Sequence, residues 1–135
     1  MNKGRKRILL VDDEEDLLQA VAEGLTAFSE GVLEVLTAEN GRKALEIFSS
    51  GPNIDLLVTD LAMPEMNGLE LLAHVEKDYP GTPAIVLTSL ITPETEGQIK
   101  AMGDYVCIEK PVGLKELLQH IMNELRQPQE NDQAR

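Results

Sequence analysis

Residues 56–68 read Leu-Leu-Val-Thr-Asp-Leu-Ala-Met-Pro-Glu-Met-Asn-Gly. Three apolar residues, Leu56-Leu57-Val58, run without a break and stop at a carboxylate, Asp60. Pro64 and Gly68 then mark a turn, and Leu69, Leu72 and Val75 recur at helical spacing. A short, unbroken apolar run suits a strand covered on both faces, and the stripe behind it suits a helix packed on that strand. The stretch is therefore one strand–turn–helix unit with an acid at the strand's carboxyl end.

The same grammar recurs on either side. Ile8–Val11, Leu33–Thr37, Ala84–Leu87 and Val106–Ile108 are further strand candidates. Helical stripes follow at Leu17, Leu18, Val21, Leu25 and Phe28, and at Ala44, Leu45 and Phe48. The cleanest is Leu114, Leu117, Leu118, Ile121, Met122 and Leu125. Thr92 to Met102 is the weakest: Gly97 lies inside it and apolar residues are few, which predicts a marginal, mobile helix. Five strand–helix repeats argue an α/β fold, a parallel sheet with helices on both faces and right-handed crossovers. Ligands of such sheets bind beyond the carboxyl ends of the strands.

The whole chain sets limits that agree. Its 135 residues suit one domain, expected over 1–126, with 127–135 a polar, disordered tail. Apolar residues make up 42% but aromatic ones only 3%, so the core must be aliphatic. A formal net charge of −12 disfavours direct nucleic-acid binding. The basic run Lys3 to Arg7 reads as a solvated, frayed end rather than a nucleic-acid arm. The single cysteine, Cys107, excludes an internal disulfide. No apolar run has the length of a signal peptide core or a membrane span, so a cytoplasmic location with no membrane contact is the default expectation.

The strand ends carry the chemistry. Asp12 to Asp16 follow the first strand, Asp60 the third, Thr88 and Ser89 the fourth, and Lys110-Pro111 the fifth. Helix capping by Asp13, with favourable charge from Glu14, Glu15 and Asp16 at the helix start, accounts for part of the acidic run. It does not account for Asp12 and Asp60. Carboxylates brought together repel, and a divalent cation relieves that repulsion. Hard oxygen ligands in an incomplete shell suit Mg²⁺; calcium fits less well, because the alternating acids and central glycine of an EF-hand loop are missing. Lys110 could reach both a carboxylate and a phosphate as a flexible point charge, and the Thr88 hydroxyl could donate to a phosphoryl oxygen.

Taken together, Val11-Asp12-Asp13-Glu14, the stretch 57–68, Val86-Leu87-Thr88-Ser89 and Glu109-Lys110-Pro111 resemble the response-regulator receiver domains of two-component signalling, the CheY-like family, over about Arg7 to Arg126. The resemblance implies a flavodoxin-like (βα)5 fold with strand order 2-1-3-4-5. It implies that Asp60 is the phosphoacceptor, and that Asp12, Asp13, Asp60 and the backbone carbonyl of Ala62 hold Mg²⁺. Thr88 and Lys110 would contact the phosphoryl group, and the Lys110–Pro111 bond would be cis. A histidine kinase or phosphotransfer protein would be the donor. The output would be a protein effector or output domain in another chain or in another part of a longer protein. The implied contact surface is the fourth helix, fifth strand and fifth helix, where a homodimer could also form. The chemistry is self-directed, so an enzyme acting on an external substrate is not expected.

The chain also departs from the family pattern. Cys107 stands where the family carries Tyr or Phe, three residues before the lysine. Tyr105, two residues earlier, should share its face of the strand. A rearrangement of Ser89 to Met102 without an aromatic relay is then expected. Ala62 and Leu90, where the family tunes dephosphorylation, offer no means to orient water, which favours a long-lived phosphoryl state. Cys107 reads as a small buried hydrophobe, and His74 and His120 as solvent-facing. A haloacid-dehalogenase-type phosphatase would need an acid two residues after its nucleophilic Asp; Ala62 stands there after Asp60. A flavin or nucleotide binder would need a phosphate loop where the first strand ends in acids. A receiver-fold scaffold without phosphorylation is opposed by the complete set of acids, threonine and lysine.

Overall fold

The computed structural model describes residues 5–126. The expected tail at 127–135, and the start of the basic run, lie outside the described residues. The strands are β1 (Lys6–Val11), β2 (Leu33–Ala38), β3 (Leu56–Asp60), β4 (Ala84–Thr88) and β5 (Val106–Glu109). The helices are α1 (Glu15–Phe28), α2 (Gly41–Ser49), α3 (Gly68–Asp78), α4 (Pro93–Met102) and α5 (Leu114–Arg126). The strands form one parallel sheet in the order β2-β1-β3-β4-β5, as the resemblance implied.

Alternation along each strand sends side chains into two cores. Leu9, Val11, Leu57, Val86 and their neighbours pack under α2 and α3, with Ile99 of α4. Ile8, Leu10, Val58, Ile85 and Ile108 pack under α1 and α5. Every residue of β3 and β4 is buried, which is why their apolar runs are unbroken in sequence. Phe48 stacks on Tyr79 at 4.9 Å between ring centroids, one of few aromatic contacts in an otherwise aliphatic core.

Several local expectations change. Leu17 and Phe28 share the helical stripe of α1 but are 45% and 49% exposed; Leu18, Ala22 and Leu25 carry its buried face. Period alone cannot say how wide a helix's covered stripe is. Asp13 does not cap α1. The cap position is Glu14, without a side-chain bond, and Asp12 Oδ1 instead accepts the Glu14 N–H at 2.9 Å. Lys6 and Arg7 are not a frayed end but the start of β1. Arg7 donates its backbone N–H to Asp55 Oδ2 at 2.8 Å, and its guanidinium meets Glu34 at 3.2 Å and the Asn53 carbonyl at 3.1 Å. The weak fourth helix forms a full 10 residues. Pro93 opens it, and Thr92 Oγ1 accepts the Thr95 N–H at 3.1 Å, yet only Ile99 is buried.

Candidate functional site

β1 and β3 are neighbours, so their carboxyl ends deliver Asp12 and Asp60 side by side. Both are buried, 7% exposed each, although they are acids. Asp12, Asp13 and Asp60 each offer a carboxylate oxygen, and these oxygens lie within 4.8 Å of one another. Asp13 is the exposed member. Such a set of hard oxygen donors, gathered against its own repulsion, fits a divalent cation of the Mg²⁺ type.

Lys110 enters from the end of β5. Its Nζ lies 3.2 Å from Asp60 Oδ1 and 3.7 Å from Asp12 Oδ2. The backbone helps fix that reach, since the Lys110 N–H donates to the Thr88 carbonyl at 2.7 Å. The Lys110–Pro111 bond is cis, as the resemblance implied. Burial pushes the Asp60 carboxyl above the usual carboxylate range; the hydrogen bond and charge of Lys110 pull it down, while Asp12 pushes it up further. For Lys110, burial works against the charged form, but Asp60, Asp12 and Glu14 outweigh it and hold the ammonium above the ordinary lysine range. Asp60 Oδ1 also accepts the Leu61 N–H at 3.0 Å, which orients the carboxylate at the strand end.

The other expected residues are placed less uniformly. Thr88 is buried at the end of β4, but its hydroxyl is engaged with Leu90. Oγ1 donates to the Leu90 carbonyl at 3.2 Å and accepts the Leu90 N–H at 3.3 Å. Ala62, two residues beyond Asp60, is exposed. Cys107 is half-buried; burial, then Glu96 and Glu109, push its thiol up. Tyr105 packs on the same core as Cys107, and its hydroxyl donates to Glu76 Oε1 at 2.6 Å. His74 is exposed as expected, but His120 is half-buried.

Sequence reasoning missed a cavity of about 530 Å³ between α1 and α5 that opens onto Asp12 and Lys110. Leu17, Val21, Val112 and Leu114 line it, which is where the misplaced Leu17 goes. No helix among the described residues is long and apolar enough to cross a membrane.

A parallel sheet of this order, with an acidic trio and a lysine at its carboxyl ends, defines a doubly wound α/β domain with its site where ligands of such sheets bind. The chain belongs to the response regulator receiver domain family, which it matches over residues 8–122. It is 37% identical over 120 residues to the transcriptional regulatory protein GlrR of Escherichia coli K12, covering 89% of this chain and 26% of that one. Over 85 residues it is 38% identical to a chemotaxis protein CheY homolog of Campylobacter jejuni, covering 62% of this chain and 64% of that one. A CheY-like receiver domain from Methanospirillum hungatei superposes with a TM-score of 0.81 at 31% identity, over 90% of this chain and 94% of that one. The response regulator TrrA of Thermotoga maritima, solved in complex with Mg²⁺ and BeF, gives 0.73 at 32% identity, over 88% and 98%. The chain spans about a quarter of the length of the first curated relatives it matches.

Proposed function

We propose that Asp60 accepts a phosphoryl group from a histidine kinase or phosphotransfer protein, and that the resulting aspartyl phosphate switches contacts with a protein effector or output domain. The observation that carries this reading is Lys110 Nζ standing between Asp60 and Asp12. A half-buried lysine spanning two carboxylates can hold an anion beside either one.

In the transfer, an Asp60 carboxylate oxygen attacks phosphorus. The P–N bond of a phosphohistidine breaks, and the imidazole nitrogen leaves with the bonding pair. Lys110 stabilises charge on the transferring oxygens. Asp12, Asp13, Asp60 and the Ala62 carbonyl would hold Mg²⁺, which when bound neutralises phosphoryl charge that the acids would otherwise repel. Thr88 gives up Leu90 and turns its hydroxyl to the phosphoryl oxygen. Leu90 leads directly into α4, so that exchange loosens the segment from Ser89 to Met102. With Cys107 in β5, no ring turns inward to follow. Water cleaves the acyl phosphate to reset the switch, slowly, since neither Ala62 nor Leu90 can orient it. The chain acts on itself and on no external substrate. The reading places it in the cytoplasm, with α4, β5 and α5 as the surface for an effector or a second copy.

Intact mass after incubation with acetyl phosphate and Mg²⁺ tests the acceptor. One phosphoryl group is expected on the native chain, and none on Asp60→Asn or when the metal is chelated. An unchanged native mass, under conditions that preserve acyl phosphates, overturns the proposal.

A further inference from the structure

The loop from Asp60 to α3 carries Ala62, and its backbone is strained. The Met66 N–H donates to the Pro64 carbonyl at 2.7 Å, closing a three-residue turn around Glu65, whose φ is +69°. A γ-turn with positive φ is rare and strained, and a non-glycine residue seldom adopts it. Such a conformation persists only where its surroundings hold it. Downstream the hold is plain. The Gly68 N–H donates to the Leu61 carbonyl at 2.8 Å, and Asn67 and Glu70 form a capping box at the start of α3. Across the loop, Met66 packs against α2.

Its seat there is Gly41. A Cβ built on Gly41 would stand 2.6 Å from Met66 Sδ, 2.9 Å from Cγ and 3.1 Å from Cβ. The collision runs down the whole side chain, so rotating the thioether tip would not relieve it. Gly41 is the first residue of α2 and is buried. Glycine disfavours a helix there, its φ is not in the left-handed region, and Asn40 already caps the helix by accepting the Lys43 N–H at 2.8 Å. The need for glycine is space.

We propose that Gly41 is a positioning residue for the phosphoacceptor site: the side chain it lacks makes the seat for Met66, and Met66 on that seat holds the strained loop that presents Ala62 beside Asp60. The inference deepens the proposed function and rests on it. It gives α2 a part in phosphoryl acceptance although α2 contributes no group to the acidic cluster.

The test is a double-mutant cycle of Gly41→Ala and Met66→Ala, reading Mg²⁺ affinity by calorimetry, melting temperature in EDTA, and phosphorylation by intact mass. Displacing a group that orients metal ligands costs about 10-fold or more in metal affinity, so Gly41→Ala should lose about that much. Met66→Ala empties the seat without forcing a side chain out of it, so it should lose less, and it leaves only one atom close to a Cβ added at Gly41. The double variant should then match Met66→Ala rather than show both losses multiplied. If Gly41→Ala does not fold, weakened Mg²⁺ binding by a folded Met66→Ala still supports the seat. Native-like Mg²⁺ affinity in Met66→Ala overturns it, as do multiplicative losses or a lowered melting temperature with native Mg²⁺ affinity. A native chain that binds Mg²⁺ but takes no phosphoryl group would sink the phosphoacceptor reading instead, and the cycle in Mg²⁺ affinity would still decide the seat.

Discussion

The two halves of this sheet are built to different standards. In β3 and β4 all five residues of each strand are buried, and α3 buries four of its own. In β5 only Ile108 is buried, and in α4 only Ile99. The tight half ends in Asp60 and Thr88; the loose half holds α4 and, at its end, Lys110. Chemistry that needs carboxylates held close together against repulsion is mounted where packing leaves no room to relax. The segment expected to respond lies where few contacts oppose movement. Lys110 joins the two halves, with its amide bound to Thr88 and its ammonium to Asp60.

The largest test of the contrast is a matched pair of core cuts. Leu57→Ala, in a strand with no exposed residue, should cost roughly 2–5 kcal/mol in denaturant unfolding. Cys107→Ala, in half-buried β5, should cost under about 1 kcal/mol and leave phosphorylation intact. Equal costs would erase the distinction. Next comes Gly97→Ala in α4. A Cβ there meets nothing within 4 Å, so the change should stabilise by about 1 kcal/mol through helix propensity alone. Destabilisation would mean that α4 is packed more closely than its single buried residue implies.

A smaller effect concerns a second polar tie on the loose side, from Tyr105 to Glu76. Burial, then the hydrogen bond and charge of Glu76, push the Tyr105 phenol well above its ordinary range. A group raised in this way stabilises the fold fully below its unfolded pKa of about 10, and that contribution is lost as pH climbs through the folded value. The native chain should therefore lose stability above pH 10 more steeply than Tyr105→Phe. At neutral pH the phenylalanine variant should be weaker by under about 1 kcal/mol, since the hydrogen bond itself lies at the surface although the ring is half-buried. Parallel pH curves would show that the tie does not hold β5 to α3. The smallest expected change is in metal-free melting. Asp60→Asn removes one member of the crowded acids and should melt slightly above the native chain in EDTA, with the gap closing as Mg²⁺ is added.

The amino-acid sequence by itself determined the element order, the parallel sheet and the acids, hydroxyl and lysine at its carboxyl ends. Those features are local: an apolar run, a helical period and the residue that ends each run all lie within a few positions of one another. Its errors were of another kind. Leu17 and Phe28 kept the period of α1 yet lie outside, because the neighbours that could cover them are far away in the chain. Asp13 looked like a cap, but the turn into α1 is made by Asp12, whose second oxygen faces Lys110. Only the tertiary structure decided that Lys110 meets both Asp12 and Asp60, that Thr88 holds Leu90, and that Met66 needs the bare backbone of Gly41. Each of those contacts is set by how sheet and helices pack, and no periodicity within a single segment encodes the partner it meets across the fold.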